Sequence, residues 1–366
     1  MYRPLRRLLG ASRRHIHSQQ SVLDAVQEIR VRLSRVSRLS AASSVRESAP
    51  NDAKALVADA LQPPLASSND VFFHSERKLT EHEAARLRVH VARRSKGEPL
   101  AYVVGRKEFW SLEFEVTQDT LIPRSDTEVL IETLVDQFHP QTPLRILDIG
   151  TGSGCLLLSA LSEFLQATGV GIDVSPGALA VAEQNARSNN LERRAAFLLR
   201  DLETLPGLRN DVAEDEALFQ QFDVILCNPP YIPSEELDLI GPDVLEYEPH
   251  LALFSDGGPT VEDSGVDPEG LKMYRLLYES VDKLFRNDSG GTEIYRASTP
   301  DGKLSRNCLV MEIGSEDQAR AVQKLFSSAG PAGSPRNGVS NGSQLRFDRF
   351  LFDASGRYRG LLFLVS

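Results

Sequence analysis

Cysteine, tryptophan and long apolar runs are all scarce in this 366-residue chain. The three cysteines, Cys155, Cys227 and Cys308, stand far apart, so they form neither a disulfide framework nor a metal site of cysteine ligands. Because no apolar run is long enough to cross a bilayer, we expect no membrane segment. The composition of the whole chain, with 41% apolar and 25% charged residues, is typical of a globular protein, and its length fits one large or two modest domains.

Acidic residues are also scarce at the beginning of the chain, where the first one is Asp24. The whole chain has a formal net charge of −10, to which residues 1–50 contribute +7, so residues 51–366 carry −17. Residues 1–20 are rich in arginine, leucine and serine, a composition typical of a mitochondrial presequence. A disordered basic arm that binds RNA is the alternative. We favour the presequence and expect the protein in the mitochondrial matrix.

Apolar residues recur at helical spacing after this basic start. Residues 21–96 are therefore predicted to be a small helical domain that recognises the substrate. Its predicted helices cover residues 22–39, 52–61 and 81–95, the second beginning at a cap on Asn51 or Asp52. In residues 97–120, apolar and polar side chains alternate on both sides of Gly105. This pattern predicts a linking β-hairpin with strands at 97–105 and 108–116.

Strands alternate with helices over residues 121–366, which predicts an α/β domain with a doubly wound, mainly parallel sheet. The predicted strands are 145–149, 170–173, 196–199, 222–227, 308–313, 347–352 and 360–365, of which the last two form an antiparallel pair. The predicted helices are 155–165, 176–188, 271–285 and 318–327, preceded by one that is capped by Ser125 or Asp126 and ends near Phe138. Polar, glycine-containing stretches near 256–267, 287–305 and 329–343 are predicted to be insertions outside the core.

A glycine-rich turn, Gly150-Thr151-Gly152-Ser153-Gly154, follows the first of these strands. Glycines let a backbone turn tightly and approach a ligand without a Cβ in the way. Asp173, at the tip of the next strand, stands where a carboxylate would bind ribose hydroxyls. Because the spacing is G-x-G-x-G rather than the dinucleotide G-x-G-x-x-G, a cofactor with a ribose but no diphosphate fits better, and we predict S-adenosylmethionine. A tight strand-to-helix turn without a ligand is the alternative.

The sequence Asn228-Pro229-Pro230-Tyr231 follows the apolar strand 222–227 and predicts a rigid corner at its carboxyl end. In open α/β sheets, ligands bind at that end. The Asn228 side-chain oxygen and the Pro229 carbonyl could accept the two N–H bonds of a planar NH₂ group and orient this weak nucleophile for methylation. Tyr231 could pack on the planar group. An amide and an adenine amino group suit this pattern equally, and a plain Pro-Pro turn that ends a strand is a further interpretation.

Several short motifs together carry a resemblance to a known family. They are Gly97-Glu98-Pro99-x-Ala101-Tyr102, Glu108-Phe109-Trp110, Leu121-Ile122-Pro123-Arg124-x-Asp126-Thr127-Glu128, the glycine-rich turn, Asn228-Pro229-Pro230-Tyr231-Ile232, Glu248-Pro249 and Glu312-Ile313-Gly314. With them the chain, from about Asp52 to its C-terminus and apart from the predicted insertions, closely resembles the PrmC/HemK protein-(glutamine-N5) methyltransferases. These enzymes modify the Gly-Gly-Gln motif of class I peptide release factors.

The resemblance implies a class I S-adenosylmethionine-dependent methyltransferase fold with a Rossmann-like, seven-stranded sheet. It implies catalytic roles for Asn228, Pro229 and Tyr231, which would bind the substrate amide together with Pro230 and Arg124. The implied cofactor-binding residues are Gly150, Thr151, Gly152, Ser153, Gly154, Asp173, Asp201, Leu202 and Asn228, with Leu202 standing where bacterial members have an aromatic residue. Together with the presequence, the resemblance points to a mitochondrial release factor as partner, bound through its Gly-Gly-Gln loop by a monomeric enzyme.

Two other functions are alternatives. An enzyme that methylates an adenine amino group in DNA or RNA would use the same corner. The acidic body of the chain disfavours it, since nucleic-acid-binding proteins present a basic surface. We therefore expect no direct nucleic-acid binding, and no metal is apparent. A non-enzymatic assembly factor that retains a methyltransferase fold is the other alternative, which binding of S-adenosylmethionine would test.

Overall fold

The computed structural model describes residues 16–36, 43–258, 267–286, 306–327 and 345–365. The chain divides into two compact units. The first contains residues 1–104 together with Gly241–Tyr247, and the second contains Gly105–Ile240 and Glu248–Ser366. Within the described ranges, no helix has both the length and the apolar character that crossing a membrane requires.

The first unit is helical. Its helices are α1 (Val22–Leu33), α2 (Ser43–Ala60), α3 (Glu81–Arg94) and α4 (Leu100–Val104). Their buried apolar side chains form one core. α3 begins at a capping box, in which the Thr80 hydroxyl accepts from the Glu83 N–H and the Glu83 carboxylate accepts from the Thr80 N–H. α1 ends short of its predicted end at 39.

Helix α2 begins at Ser43, well before its predicted beginning. The predicted cap on Asn51 or Asp52 is wrong, because Asp52 is buried within the helix and its Oδ2 lies 2.7 Å from Nε of Arg94. The helix continues through Pro50 because apolar residues on both sides of the proline are buried along one face. These residues are Val45, Ala49, Ala53, Leu56 and Val57. The free energy gained by burying them outweighs the loss of the helical hydrogen bond that Pro50, without an N–H, cannot donate.

The predicted hairpin is present, but its first strand comes later in the chain. Strand β1 (Arg106–Phe109) pairs antiparallel with β2 (Leu112–Glu115), and Trp110-Ser111 form the turn with φ angles of 51° and 61°. The predicted strand at 97–105 is wrong, because Leu100–Val104 is helix α4. A five-residue segment fits one helical turn as well as a strand, and burial of one helical face decides between them.

The second unit is built on a seven-stranded sheet with the order β5-β4-β3-β6-β7-β9-β8. The strands are β3 (Arg145–Ile149), β4 (Thr168–Asp173), β5 (Ala195–Leu199), β6 (Val224–Cys227), β7 (Cys308–Glu312), β8 (Leu345–Phe352) and β9 (Tyr358–Val365). The first five are parallel, and β9 runs antiparallel to β7 and β8. The predicted doubly wound, mainly parallel sheet is confirmed. Alternate strand residues enter two apolar cores.

One helix precedes β3, and others lie between later strands of the sheet. They are α5 (Glu128–Gln137), α6 (Cys155–Glu163), α7 (Pro176–Ser188), α8 (Pro242–Tyr247, in the first unit), α9 (Lys272–Leu284) and α10 (Glu316–Ser327). The predicted side-chain cap of α5 is wrong, because a 3₁₀ turn, Ser125–Thr127, leads into the helix without a capping bond. Asp126 instead pairs with Arg359, at 2.7 Å between Oδ2 and a guanidinium nitrogen.

The predicted insertion at 256–267 has both ends in the packed structure, contrary to prediction. Asp256 and Asp267 are buried. Asp267 accepts hydrogen bonds from the N–H groups of Leu271 and Lys272, at 3.0 and 2.9 Å, where α9 begins. Residues 259–266 lie outside the described residues, as do the predicted insertions 287–305 and 329–343 and the first 15 residues of the predicted presequence.

Candidate active site

Two motifs lie side by side where the order of the strands reverses. β3 and β6 are adjacent parallel strands, with Ile149 opposite Cys227 at their carboxyl ends. Gly150 follows β3, and Asn228 follows β6. A Cβ built at Gly150 would lie 3.7 Å from the backbone oxygen of Asn228. The glycine-rich turn and the Asn-Pro-Pro-Tyr corner therefore meet at the switch point, where open α/β sheets bind ligands.

The three glycines of the turn all have positive φ angles, 71° at Gly150, 54° at Gly152 and 81° at Gly154. This is the region that glycine adopts without strain. A Cβ at Gly154 would also lie within 3.3 Å of Leu158 and Ala182, so close packing requires glycine there. A Cβ at Gly152 would meet no atom within 4 Å. The space beside Gly152 is open for a ligand.

The carboxylate of Asp173, at the end of β4, is joined to this turn. One oxygen accepts from the N–H of Gly152 at 2.9 Å, and the other accepts from the N–H of Ser175 at 2.9 Å. Burial raises the pKa of Asp173, while these backbone hydrogen bonds oppose the rise. A carboxylate offers about four acceptor positions, so it can still accept from ribose hydroxyls.

Asp148 lies beneath the turn, and the sequence analysis did not place it in the site. It is fully buried in β3, and its Oδ2 accepts from the Thr151 hydroxyl at 2.7 Å and from the Leu157 N–H at 3.3 Å. Its Oδ1 has no hydrogen-bond partner among the described residues. Burial raises the pKa of Asp148 to about 7, and the nearby charge of Asp173 adds to the rise. An acid inside an otherwise apolar strand was the signal for it.

Two of the implied cofactor-binding residues, Asp201 and Leu202, come just after β5, which pairs with β4. The Asp201 side chain accepts from the N–H of Glu203 at 2.8 Å and caps the 3₁₀ turn Leu202–Gly207. Leu202 packs against the second of the two apolar cores. The structure thus places both residues at the same edge of the sheet as the glycine-rich turn, and their roles stay predictions.

The corner after β6 presents a free amide. Asn228 is half-buried, and its side chain makes no hydrogen bond to any described residue. Pro229 is buried, and Pro230 is half-buried. Because the two prolines hold the backbone after the asparagine rigid, the direction of its carboxamide is constrained. Both the side-chain oxygen and the neighbouring backbone carbonyl can accept hydrogen bonds from a ligand.

Tyr231 is held at the end of the neighbouring strand. Its hydroxyl donates to Glu312, the last residue of β7, at 3.3 Å, and its carbonyl accepts from the Gln318 amide at 3.1 Å. Burial raises the pKa of Tyr231, and the charge of Glu312 adds to the rise. Burial also raises the pKa of Glu312 to about 7. Sequence reasoning noticed Glu312 only as part of a family motif.

Arg124 lies in an ion pair rather than free in solvent. A guanidinium nitrogen lies 2.5 Å from Oε1 of Glu248, whose side chain is buried. Oε2 of Glu248 accepts from the N–H of Ile122 at 3.0 Å. The two family motifs that contain Arg124 and Glu248 are thereby joined, and binding of substrate by Arg124 stays a prediction.

Comparison with known families and proteins agrees with this geometry. The family described as PrmC N-terminal domain matches residues 34–105, and the family described as methyltransferase domain matches residues 141–315. A release factor glutamine methyltransferase of Caulobacter vibrioides is 38% identical over 254 residues, which cover 69% of this chain and 74% of the relative. The same-named protein of Bradyrhizobium diazoefficiens is 36% identical over 291 residues, covering 78% and 82%. That of Geobacter sulfurreducens is 39% identical over 260 residues, covering 71% and 76%.

The chain belongs to the release factor glutamine methyltransferase family. The resemblance, the fold class and the prediction of a methyltransferase are confirmed. The prediction of S-adenosylmethionine as its cofactor is confirmed as well.

The residues of this methyltransferase fit that cofactor. The open space beside Gly152 admits a ligand close to the backbone, and the unpaired Oδ1 of buried Asp148 gives a polar atom below it. Asp173 offers its remaining acceptor positions to ribose hydroxyls. When bound, S-adenosylmethionine supplies a methyl group on a positively charged sulfur. Among the residues that the structure describes, no group of His, Cys, Asp and Glu could hold a metal ion.

Proposed function

We propose that this methyltransferase methylates the side-chain amide nitrogen of the glutamine in the Gly-Gly-Gln motif of a mitochondrial class I peptide chain release factor. The observation that carries the proposal is the half-buried carboxamide of Asn228, which bonds to no described residue, beside the glycine-rich turn of a chain whose relatives are named release factor glutamine methyltransferases. Methylation of this glutamine would support translation termination.

The corner binds and orients the acceptor. A glutamine amide nitrogen is a weak nucleophile, because its lone pair is delocalised into the carbonyl. The Asn228 side-chain oxygen and the Pro229 carbonyl accept its two N–H bonds, which directs the nitrogen at the methyl group and stabilises the positive charge that grows on it. Tyr231 packs on the plane of the amide. A nitrogen–carbon bond forms as the sulfur–carbon bond breaks, one N–H proton leaves to water, and the products are an N-methyl amide and S-adenosylhomocysteine.

A mitochondrial location rests on the arginine-rich composition of residues 1–20. Within that range, Ile16 is buried in the core of the first unit, and its carbonyl accepts from Arg88 at 2.9 Å. We therefore propose that the presequence is removed before Ile16, since cleavage after it would take a core residue away. Imaging of a fusion that lacks residues 1–15 should find it in the cytosol, and an unchanged mitochondrial location would contradict this part of the proposal.

The function is tested by methyl transfer in vitro and in cells. The purified protein with isotopically labelled S-adenosylmethionine should methylate a mitochondrial release factor at one glutamine, located by mass spectrometry of the Gly-Gly-Gln peptide. A release factor with Gly-Gly-Glu in that place is the matched control and should remain unlabelled. Loss of the protein from cells should remove the methyl group from the release factor. Normal methylation in those cells would refute the proposal.

The same assay separates the adenine alternative. DNA and RNA oligonucleotides that contain adenine are offered in place of the release factor. Because residues 51–366 carry a net charge of −17, we expect no transfer to them. If an oligonucleotide is labelled and the release factor is not, the acceptor is an adenine amino group and not a glutamine amide.

A further inference from the structure

The ring of Tyr231 is held by residues at the end of β7 and in the segment that follows it. Its hydroxyl donates to Glu312 Oε1 at 3.3 Å. A Cβ built at Gly314 would lie 2.8 and 2.9 Å from ring atoms Cδ2 and Cε2, so the absence of a side chain there lets the ring lie against the backbone. Neither contact comes from the corner itself. The orientation of the phenol therefore depends on the neighbouring strand.

The backbone of Tyr231 is held from the same side. The Gln318 side-chain nitrogen donates to the carbonyl of Tyr231 at 3.1 Å and to that of Gly270 at 3.1 Å. The Gln318 side-chain oxygen accepts from the N–H of Gly314 at 2.8 Å. One buried amide thus joins the corner, the start of α9 and the segment after β7. Both the ring and the backbone of the tyrosine are constrained by this arrangement.

Holding a phenol with the buried carboxyl of Glu312 costs more folding free energy than packing alone would require. It is buried, burial raises the pKa of its carboxyl to about 7, and the charge of Arg359 opposes that rise. Buried ionisable groups generally stabilise a fold less than apolar residues of the same size would. An apolar pair in place of the carboxyl and the phenol would fill the same volume without that cost. The presence of this buried polar pair therefore points to a role of the phenol beyond packing.

We propose that Glu312 is a positioning residue for methyl transfer, acting through its hydrogen bond to Tyr231 to hold the phenol ring against the acceptor amide beside Asn228. This rests on the proposed function, since it concerns the same acceptor site. Glu312 does not touch the substrate. Its carboxyl fixes the angle of the ring, the ring restricts the amide to orientations in which Asn228 and the Pro229 carbonyl can both accept from it, and the rate of transfer depends on that restriction.

The test compares Glu312→Ala, Tyr231→Phe and the double variant in steady-state methylation of the release factor. We expect each single variant to lower kcat about tenfold to a hundredfold, with KM for the release factor and affinity for S-adenosylmethionine changed by less than about threefold. Because Glu312 acts through Tyr231, the double variant should be no slower than the slower single variant. Glu312→Gln keeps an acceptor oxygen, so it should be faster than Glu312→Ala.

Asp223→Asn is the matched control. Asp223 comes just before β6, at the end opposite to the corner, and its Oδ2 accepts from the Arg145 N–H at 2.8 Å. This variant also removes a carboxylate that is bonded to its surroundings, and it should retain the wild-type kcat. Thermal unfolding and calorimetric binding of S-adenosylmethionine show which variants are folded.

Three results would overturn the proposal while the wild-type enzyme still methylates the release factor. They are a kcat of Glu312→Ala within twofold of wild type, losses that multiply in the double variant, and a rise in KM with kcat unchanged. If Glu312→Ala fails to fold, Tyr231→Phe decides, and a wild-type kcat in that variant would equally end the proposal. A wild-type enzyme that labels no release factor would instead refute the proposed function, which separates the two failures.

Discussion

The two sides of the candidate site are built from different groups. On the side of β3 and β4, glycines and backbone N–H groups form the surface, and the Asp173 carboxylate is bonded to them. On the side of β6 and β7, side chains form the surface: Asn228 accepts no hydrogen bond from the described residues, and Tyr231 is held by Glu312. A cofactor that must lie close to the chain requires backbone without Cβ atoms, whereas a weak nucleophile requires directed acceptors. The cofactor side should therefore be sensitive to added atoms, and the acceptor side to removed ones.

The largest expected effect on catalysis is on the acceptor side, from Asn228→Ala. Removing one oriented acceptor should raise the barrier to methyl transfer by about 2–4 kcal/mol. Single-turnover rates with the release factor check this, alongside calorimetric affinity for S-adenosylmethionine, which should change little. Equal loss of rate and of cofactor affinity would mean that Asn228 serves chiefly the cofactor and would weaken the contrast between the two sides.

Replacing Asp148, which is buried beneath the glycine-rich turn, should change how the stability of the protein depends on pH. The folded-state pKa of Asp148, about 7, is above its ordinary value of 3.8, so the folded chain binds this proton more tightly than the unfolded chain does. Stability is therefore lost as pH rises through the window from about 4 to about 7. Asp148→Asn should remove this loss, so its stability relative to wild type should rise by about 4 kcal/mol across the window. Urea unfolding at several pH values measures the gain, and a difference between the two proteins that is the same at every pH would contradict it.

Adding a single Cβ on the cofactor side should weaken cofactor binding. Gly152→Ala places a methyl group in the open space beside the turn, at a φ of 54°. We expect affinity for S-adenosylmethionine to fall about tenfold, on top of about 1 kcal/mol of lost stability from the left-handed backbone. Gly356→Ala is the matched control, since Gly356 has a φ of 77° and equally open surroundings. It should lose similar stability and no affinity, and equal affinities in the two variants would show that the space beside Gly152 is not the cofactor site.

The smallest expected effect comes from adding an aromatic ring after β5. Leu202→Phe places an aromatic ring where the family resemblance implies one, and stacking on adenine should improve affinity for S-adenosylmethionine by about 1 kcal/mol. Calorimetry measures the gain. Leu165→Phe, at a leucine that is 60% exposed after α6, controls for added apolar surface. No gain in affinity with unchanged thermal stability would place adenine away from Leu202.

Prediction from the sequence succeeded where several local signals agreed. Strand β3 and helix α7 have their predicted bounds, 145–149 and 176–188, because a short apolar run and a proline in the first helical turn mark them. It failed at α2, which was predicted to begin at a cap on Asn51 or Asp52, because burial of one face carries the helix through Pro50. It failed again at α4, whose five residues are too few for a period to be read.

The residues of the candidate site were likewise predictable from the sequence only in part. The residue patterns of the glycine-rich turn and of the corner each fit only a few local backbone structures. Both could therefore be recognised in the sequence. Asp148 and Glu312 are single acids in apolar strands, which makes them noticeable, but the sequence does not show which groups they contact. Their importance lies in complete burial and in their hydrogen bonds to Thr151 and Tyr231, which only the packed sheet creates.

By itself, the sequence determined the kind of chemistry, because a G-x-G-x-G turn with a following acid and an Asn-Pro-Pro-Tyr corner constrain the backbone within a few residues. Only the tertiary structure decided that these two pieces face one crevice. Parallel strands that are joined by long crossovers carry no local signal of their pairing. The adjacency of β3 and β6, with Ile149 opposite Cys227, brings Gly150 to the backbone of Asn228, and β7 beside them supplies the carboxyl that holds Tyr231.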